Sequence, residues 1–250
     1  MNLKSLLAAV GITVAVAAFA EVESSTTLCR IAVSTGVKST IIALPLQTVG
    51  QTDGRTIAPT KVVMPDGLPA NTKLLHWNSV KAGWDAWKIA NGVWEVEETM
   101  PSGDPLDALP CGSAAWLELP ANPTSTQTFY LYGQCFETGA SVSAVANAST
   151  MMGACAAINV NAIKNKLASG TFQEGDKIVV VDPSNTVTGR KEFTYRATKA
   201  DGTTAINNFA VQTYNASRSP RKDWEVADFT LEAGKGFLYV SNGGTPTFNW

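Results

Sequence analysis

Residues 71–96 read Asn71-Thr72-Lys73-Leu74-Leu75-His76-Trp77-Asn78-Ser79-Val80-Lys81-Ala82-Gly83-Trp84-Asp85-Ala86-Trp87-Lys88-Ile89-Ala90-Asn91-Gly92-Val93-Trp94-Glu95-Val96. Three apolar runs of four to six residues, at 73–77, 84–89 and 93–96, are separated by Asn, Ser and Gly. Short runs bounded by turn formers are the punctuation of β-strands, not the 3.6-residue rhythm of an amphipathic helix. The same pattern continues outward in both directions, with strands expected at 28–33, 40–46, 114–119, 127–132, 151–157, 177–181, 192–195, 224–229, 236–240 and 245–249. One short helix is expected near 160–168, where Asn159 can cap a turn carrying Val160, Ile163 and Leu167 ahead of Gly170. The expected class is all-β with minor helix.

Composition narrows what such a chain can do. The 250 residues are 45% apolar and only 16% charged, enough to bury a core and too ordered in composition for a disordered chain. A net charge of −2 and a pI near 5.5 give no broad basic surface for nucleic acid. The lone histidine, His76, cannot fill the several imidazole roles that most histidine catalysis and His-rich metal sites require. Neither a GxSxG elbow nor a phosphate-binding or dinucleotide fingerprint occurs, and no cofactor or metal is expected.

The first twenty residues carry Lys4, an uncharged stretch from Ser5 to Ala20, and the small-x-small ending Ala18-Phe19-Ala20. That is the layout of a secretory signal peptide over 1–20, shorter than a membrane-spanning helix needs. The mature chain is then expected to begin at Glu21 and to reach the periplasm, the cell surface or the medium, with no membrane span after cleavage. In such a compartment the four cysteines, Cys29, Cys111, Cys135 and Cys155, are expected to form disulfides. If 114–119 and 127–132 form a hairpin turning at Asn122 to Thr124, Cys111 faces Cys135 at its open end. Cys29 then pairs with Cys155 by elimination. A four-cysteine zinc site lacks the usual CxxC spacing.

Landmarks recur in order along the two halves. Ser39-Thr40-Ile41-Ile42-Ala43 is echoed by Ser149-Thr150-Met151-Met152-Gly153, and Asn71-Thr72-Lys73-Leu74-Leu75 by Gly175-Asp176-Lys177-Ile178-Val179. Trp94-Glu95 is echoed by Trp224-Glu225, Leu109-Pro110-Cys111-Gly112 by Leu231-Glu232-Ala233-Gly234, and Thr128-Phe129 by Thr247-Phe248. Two similar tandem β-sandwich or barrel-like units are expected, over 21–137 and 138–250. With Gly175-Asp176-Lys177-Ile178 and Gly234-Lys235-Gly236-Phe237-Leu238 in its second half, the chain resembles a group of secreted bacterial β-repeat proteins. In that group a signal peptide precedes units with a GDKI strand start and a GxGFW-like strand. The first half departs from both motifs, and the resemblance implies a secreted β protein without supplying an activity or a catalytic residue.

Four of the seven tryptophans, Trp77, Trp84, Trp87 and Trp94, fall within 18 positions. Exposed indoles can stack on sugar rings, which makes Trp77, Trp84 and Trp87 candidate ligand-binding residues, although Trp84 and Trp87 must point to opposite faces of one strand. Burial in the core is the commoner fate of such side chains. Glu95, Glu97, Glu98, Asp85, Asp104 and Asp107 could supply a glycosidase carboxylate pair, but Glu95 and Glu97 alternate with Val96 as on a half-solvated strand. Asp104-Pro105-Leu106-Asp107 is too sparse for a calcium loop. Residues 199–222 read as a polar insertion forming a surface excursion, and Asn147 and Asn215 fit the N-glycosylation pattern. The expected function is a non-catalytic secreted structural or surface protein that associates with itself or with a cell-surface polymer. The alternative is a carbohydrate-binding module using its exposed tryptophans.

Overall fold

The computed structural model describes residues 28–35, 39–50, 56–78, 82–97, 109–120, 127–135, 141–154, 160–161, 167–169, 172–181, 189–214, 217, 222–227 and 230–250. The segment 1–20, expected as a signal peptide, lies outside them. The first half runs through β1 (Leu28–Thr35), β2 (Ser39–Ala43), β3 (Leu46–Gln47), β4 (Thr56–Ile57), the one-turn helix α1 (Pro59–Val62), β5 (Lys73–Asn78), β6 (Gly83–Ala90), β7 (Val93–Val96), β8 (Leu109–Pro110), β9 (Ala114–Glu118) and β10 (Gln127–Cys135). The second runs through β11 (Ser141–Ser143), β12 (Ser149–Gly153), β13 (Val160–Asn161), β14 (Leu167–Ser169), β15 (Lys177–Val181), β16 (Arg190–Thr198), β17 (Ala205–Tyr214), β18 (Lys222–Val226), β19 (Thr230–Leu231), β20 (Gly236–Val240) and β21 (Thr247–Asn249). The protein is all-β, built from antiparallel sheets.

Strand order in the two halves corresponds sheet by sheet. The first half holds β1-β10-β3, β4-β8 and β2-β9-β5-β6-β7; the second holds β11-β21-β14, β13-β19 and β12-β20-β15-β16-β17-β18. The match extends to single hydrogen bonds. Asn71 N–H donates to Ile89 O and Ile89 N–H to Thr72 O, as Gly175 N–H does to Tyr195 O and Tyr195 N–H to Asp176 O, all at 2.7–3.0 Å. Among the described residues the second large sheet has one strand more, six against five.

That additional strand corrects one expectation. The surface excursion expected over 199–222 is corrected at the positions described, because Ala205–Tyr214 inserts as β17 between β16 and β18. The physical reason is Phe209-Ala210, which the strand buries while Ala205 and Asn207 stay exposed. The helix expected over 160–168 is corrected at the positions described. Val160–Asn161 pairs with β19 and Leu167 pairs with Phe248 of β21, so tertiary pairing overrides the local cap and spacing, while 162–166 lie outside the described residues.

Each half has its own core. The first is aliphatic, with Ile42, Leu44, Leu46, Leu74, Leu117 and Leu131 around Trp87 and Phe129. The second is aromatic, with Phe193 buried beside Phe209, Phe237, Tyr239 and Phe248, the last four in edge-to-face or tilted contacts with one another or with Phe172. Phe129 and Phe248 occupy matching strands and are both fully buried. Asp176 of the GDKI motif is buried too, its carboxylate accepting from Tyr239 Oη at 2.7 Å, Gln173 N at 2.8 Å and Asn242 N at 2.5 Å.

The cysteine pairing also differs from expectation. Cys135 is bonded to Cys29, with Cα atoms 6.0 Å apart, and not to Cys111. The expected hairpin does not form. β9 pairs with β2 and β5, whereas β10 pairs with β1 and β3, so the chain changes sheets between them. In the β1–β10 register Cys29 stands opposite Gly133, which brings Cys135 within bridging reach across the diagonal. Cys111 is also disulfide-bonded, so the expected Cys111–Cys135 and Cys29–Cys155 connectivity is replaced. Among the described residues, no helix is long and apolar enough to cross a membrane.

Candidate functional site

The two large sheets meet where their β2/β9 and β12/β20 ends approach, and the contacts occur in matched pairs. Ala43 N–H donates to Gly234 O at 3.0 Å, and Gly153 N–H donates to Gly112 O at 3.0 Å. Isolated bridges join Ile42 to Lys235 and Met152 to Ser113. Each member of one pair occupies the landmark position of the other, as in an isologous interface inside a single chain. Small residues permit it. A Cβ on Gly153 would lie 2.3 Å from the Ala43 Cβ, and one on Gly236 would lie 2.7 Å from Ile41 Cγ2. Gly112 and Gly234 both adopt positive φ, +89° and +76°, at the turns that aim their carbonyls across the junction.

Beside this junction the halves leave a cleft of about 1060 Å³. Its first wall is the outer face of the first large sheet. Leu75 stands opposite Trp116, and Trp77 opposite Trp84, so these four side chains share that face. Trp77 and Trp84 touch edge to face, with ring centroids 5.4 Å apart and planes at 77°. The second wall comes from the second half and includes Val142, Val145, Met151 and Leu238. Met151 and Leu238 are register partners on β12 and β20, on the face opposite the buried Met152, Phe237 and Tyr239.

His76 lines the same cleft. The β5–β9 ladder stops at Leu75 opposite Trp116, and the imidazole Nδ1 lies 3.2 Å from the Ala114 carbonyl beyond that end. A carbonyl can only accept, so Nδ1 carries the proton and Nε2 is left as an acceptor. Burial pushes the imidazolium below the usual histidine range, offset only in part by the Ala114 carbonyl and the Asp85 charge. The neutral ring is therefore the form present at neutral pH.

The sequence candidates divide between cleft and core. Trp77 is 43% exposed and Trp84 half-buried in the cleft, whereas Trp87, at 6%, sits in the first core opposite Leu74. Trp94 packs against that core and its indole N–H donates to Val63 O at 2.7 Å. Among the acids, Glu97 is buried between Lys73 at 3.2 Å and Lys88 at 3.6 Å, Asp85 is buried and accepts from Asn78, and Glu95 is exposed. This is ion-pairing and hydrogen bonding within one sheet. Glu98, Asp104, Asp107 and Cys155 lie outside the described residues.

Trp116 and the whole second wall were missed by sequence reasoning. The available signal was the unbroken apolar stretch Gly236–Val240 of β20, with Met151-Met152 of β12, since a strand apolar on both faces must be covered on both. Compared with known families, curated proteins and solved structures, the chain matches none of them.

Proposed function

We propose that the protein is a non-catalytic exported structural or surface protein, built from two copies of one β unit and acting through contacts with further copies of itself or with the cell envelope. One observation carries this reading. Among the described residues, the large sheets join at one end and finish at the other in β7 and β18, terminal strands bearing the same Trp-Glu-Val sequence at 94–96 and 224–226. Val96 and Val226 are 54% and 52% exposed there, and Tyr214 is exposed on the neighbouring β17. An open edge with exposed β-branched and aromatic side chains is a template for strand addition. The disulfides suit an oxidising compartment, and the matched contacts at the junction suit a unit that associates with its own kind.

The test is light scattering with negative-stain imaging of the oxidised chain from Glu21 to Trp250 across a concentration series. Ordered higher species are expected, and Val226→Lys should shift them toward monomer while leaving the fold intact. A monomer at every concentration, with no binding to envelope preparations, would overturn the reading.

A further inference from the structure

We propose that the cleft between the two halves is a binding site for a small, uncharged, mostly apolar ligand with a flat ring surface and one hydrogen-bond donor. The site is separate from the open sheet edges and does not depend on self-association.

Size and wall chemistry select the class. A volume of about 1060 Å³ lies at the upper end of small-molecule pockets, which run from roughly 300 to 1,000 Å³. Both walls are apolar, with Leu75 and three indoles on one side and Val142, Met151 and Leu238 on the other. Among the described lining residues none is Asp, Glu, Lys or Arg, so a charged ligand would lose its hydration without gaining a counter-charge. A sugar would present hydroxyls to many partners and lie flat on an exposed indole, whereas Trp77 and Trp84 meet edge to face and hydrocarbon dominates the wall. A planar apolar ring is the better complement.

The donor requirement follows from His76. With Nδ1–H committed to the Ala114 carbonyl, the imidazole offers an acceptor at Nε2 on a side chain that lines the cleft. A hydroxyl or N–H on the ligand would satisfy it. Ser113, Ser149 and Thr150 supply further hydroxyls at the junction. Because the walls come from different halves, occupancy should also strengthen the junction.

The experiment uses the oxidised mature chain and 2-naphthol, read by tryptophan fluorescence and confirmed by calorimetry. Saturable one-to-one binding is expected. Naphthalene, lacking the hydroxyl, should bind about tenfold more weakly, the size of one lost hydrogen bond, and 2-naphthoate should be excluded by at least as much. Trp77→Ala on one wall and Leu238→Gln on the other should each lower affinity about tenfold or more, with near-ultraviolet dichroism reporting that each variant is folded. Val226→Lys, which acts on self-association, should leave binding unchanged, so the two proposals fail separately. Absence of saturable binding, binding indifferent to both wall variants, or preference for a soluble oligosaccharide would overturn the assignment.

Discussion

The Tyr239 hydroxyl donates to the Asp176 carboxylate at 2.7 Å, joining β20 to the start of β15 inside the second core. Two backbone amides, of Gln173 and Asn242, complete the acceptor's shell. A buried carboxylate with three donors holds together segments that are 63 and 66 residues apart in sequence. Asp176→Ala should strand all three donors and cost about 3–4 kcal/mol in urea unfolding, whereas Tyr239→Phe should cost about 1–2 kcal/mol. Burial and the neighbouring carboxylate both hold the Tyr239 phenol above the usual tyrosine range. Alkaline absorbance titration should therefore leave this tyrosine unionised until the protein unfolds.

The Cys29–Cys135 bridge spans 106 residues and ties the outer strand β1 to the end of β10. In the chain-entropy description a loop of that size is worth about 4–5 kcal/mol. Cys29→Ala should lower the urea midpoint accordingly. A non-reducing digest should recover Cys29 and Cys135 in one linked peptide pair, and a Cys111–Cys135 pair would contradict the register.

His76 gives the protein a pH dependence with a defined sign. Its folded value lies below the unfolded value of 6.5, so in acid the unfolded state binds the proton first. Stability should be level in this respect above pH 6.5, fall as the pH drops from there through the depressed folded value, and level off below it. The histidine is single, so His76→Gln isolates the effect. The wild-type minus variant stability difference should decline from pH 7.5 to 5, while carboxylate contributions cancel between the two proteins.

The contrast between what the sequence revealed and what it hid has a physical origin. Strands such as 73–77 and 84–89 announce themselves because their apolar runs and turn residues are local. The opposition of Trp84 and Trp87 follows from strand parity alone, and burial puts one in the cleft and one in the core. The partners of β9 and β10 are not local. Ala114 to Leu119 and Gln127 to Tyr132 look like hairpin arms, yet each pairs with strands far away in sequence, and the disulfide expectation failed with that assumption. The cleft was hidden for a related reason, since Trp116 and Leu238 become neighbours of one space only after the halves pack.

The junction itself can be tested by moving one methyl group across it. A Cβ on Gly153 would fall 2.3 Å from the Cβ of Ala43 and 2.7 Å from its Cα, while Gly153 N–H is already committed to Gly112 O. Gly153→Ala should therefore push the halves apart and cost about 1–3 kcal/mol, the usual penalty for overpacking. Ala43→Gly alone should cost about 1 kcal/mol through lost burial and added backbone freedom. Combined, they move one methyl group from the first half to the second, which removes the 2.3 Å clash with the Ala43 Cβ and leaves the 2.7 Å approach to its Cα. The double variant should be more stable than the sum of the single losses by at least about 1 kcal/mol, the coupling expected of residues in direct contact. A double-mutant cycle in urea measures this. Additive losses would mean that Ala43 and Gly153 do not share the contact on which the junction rests.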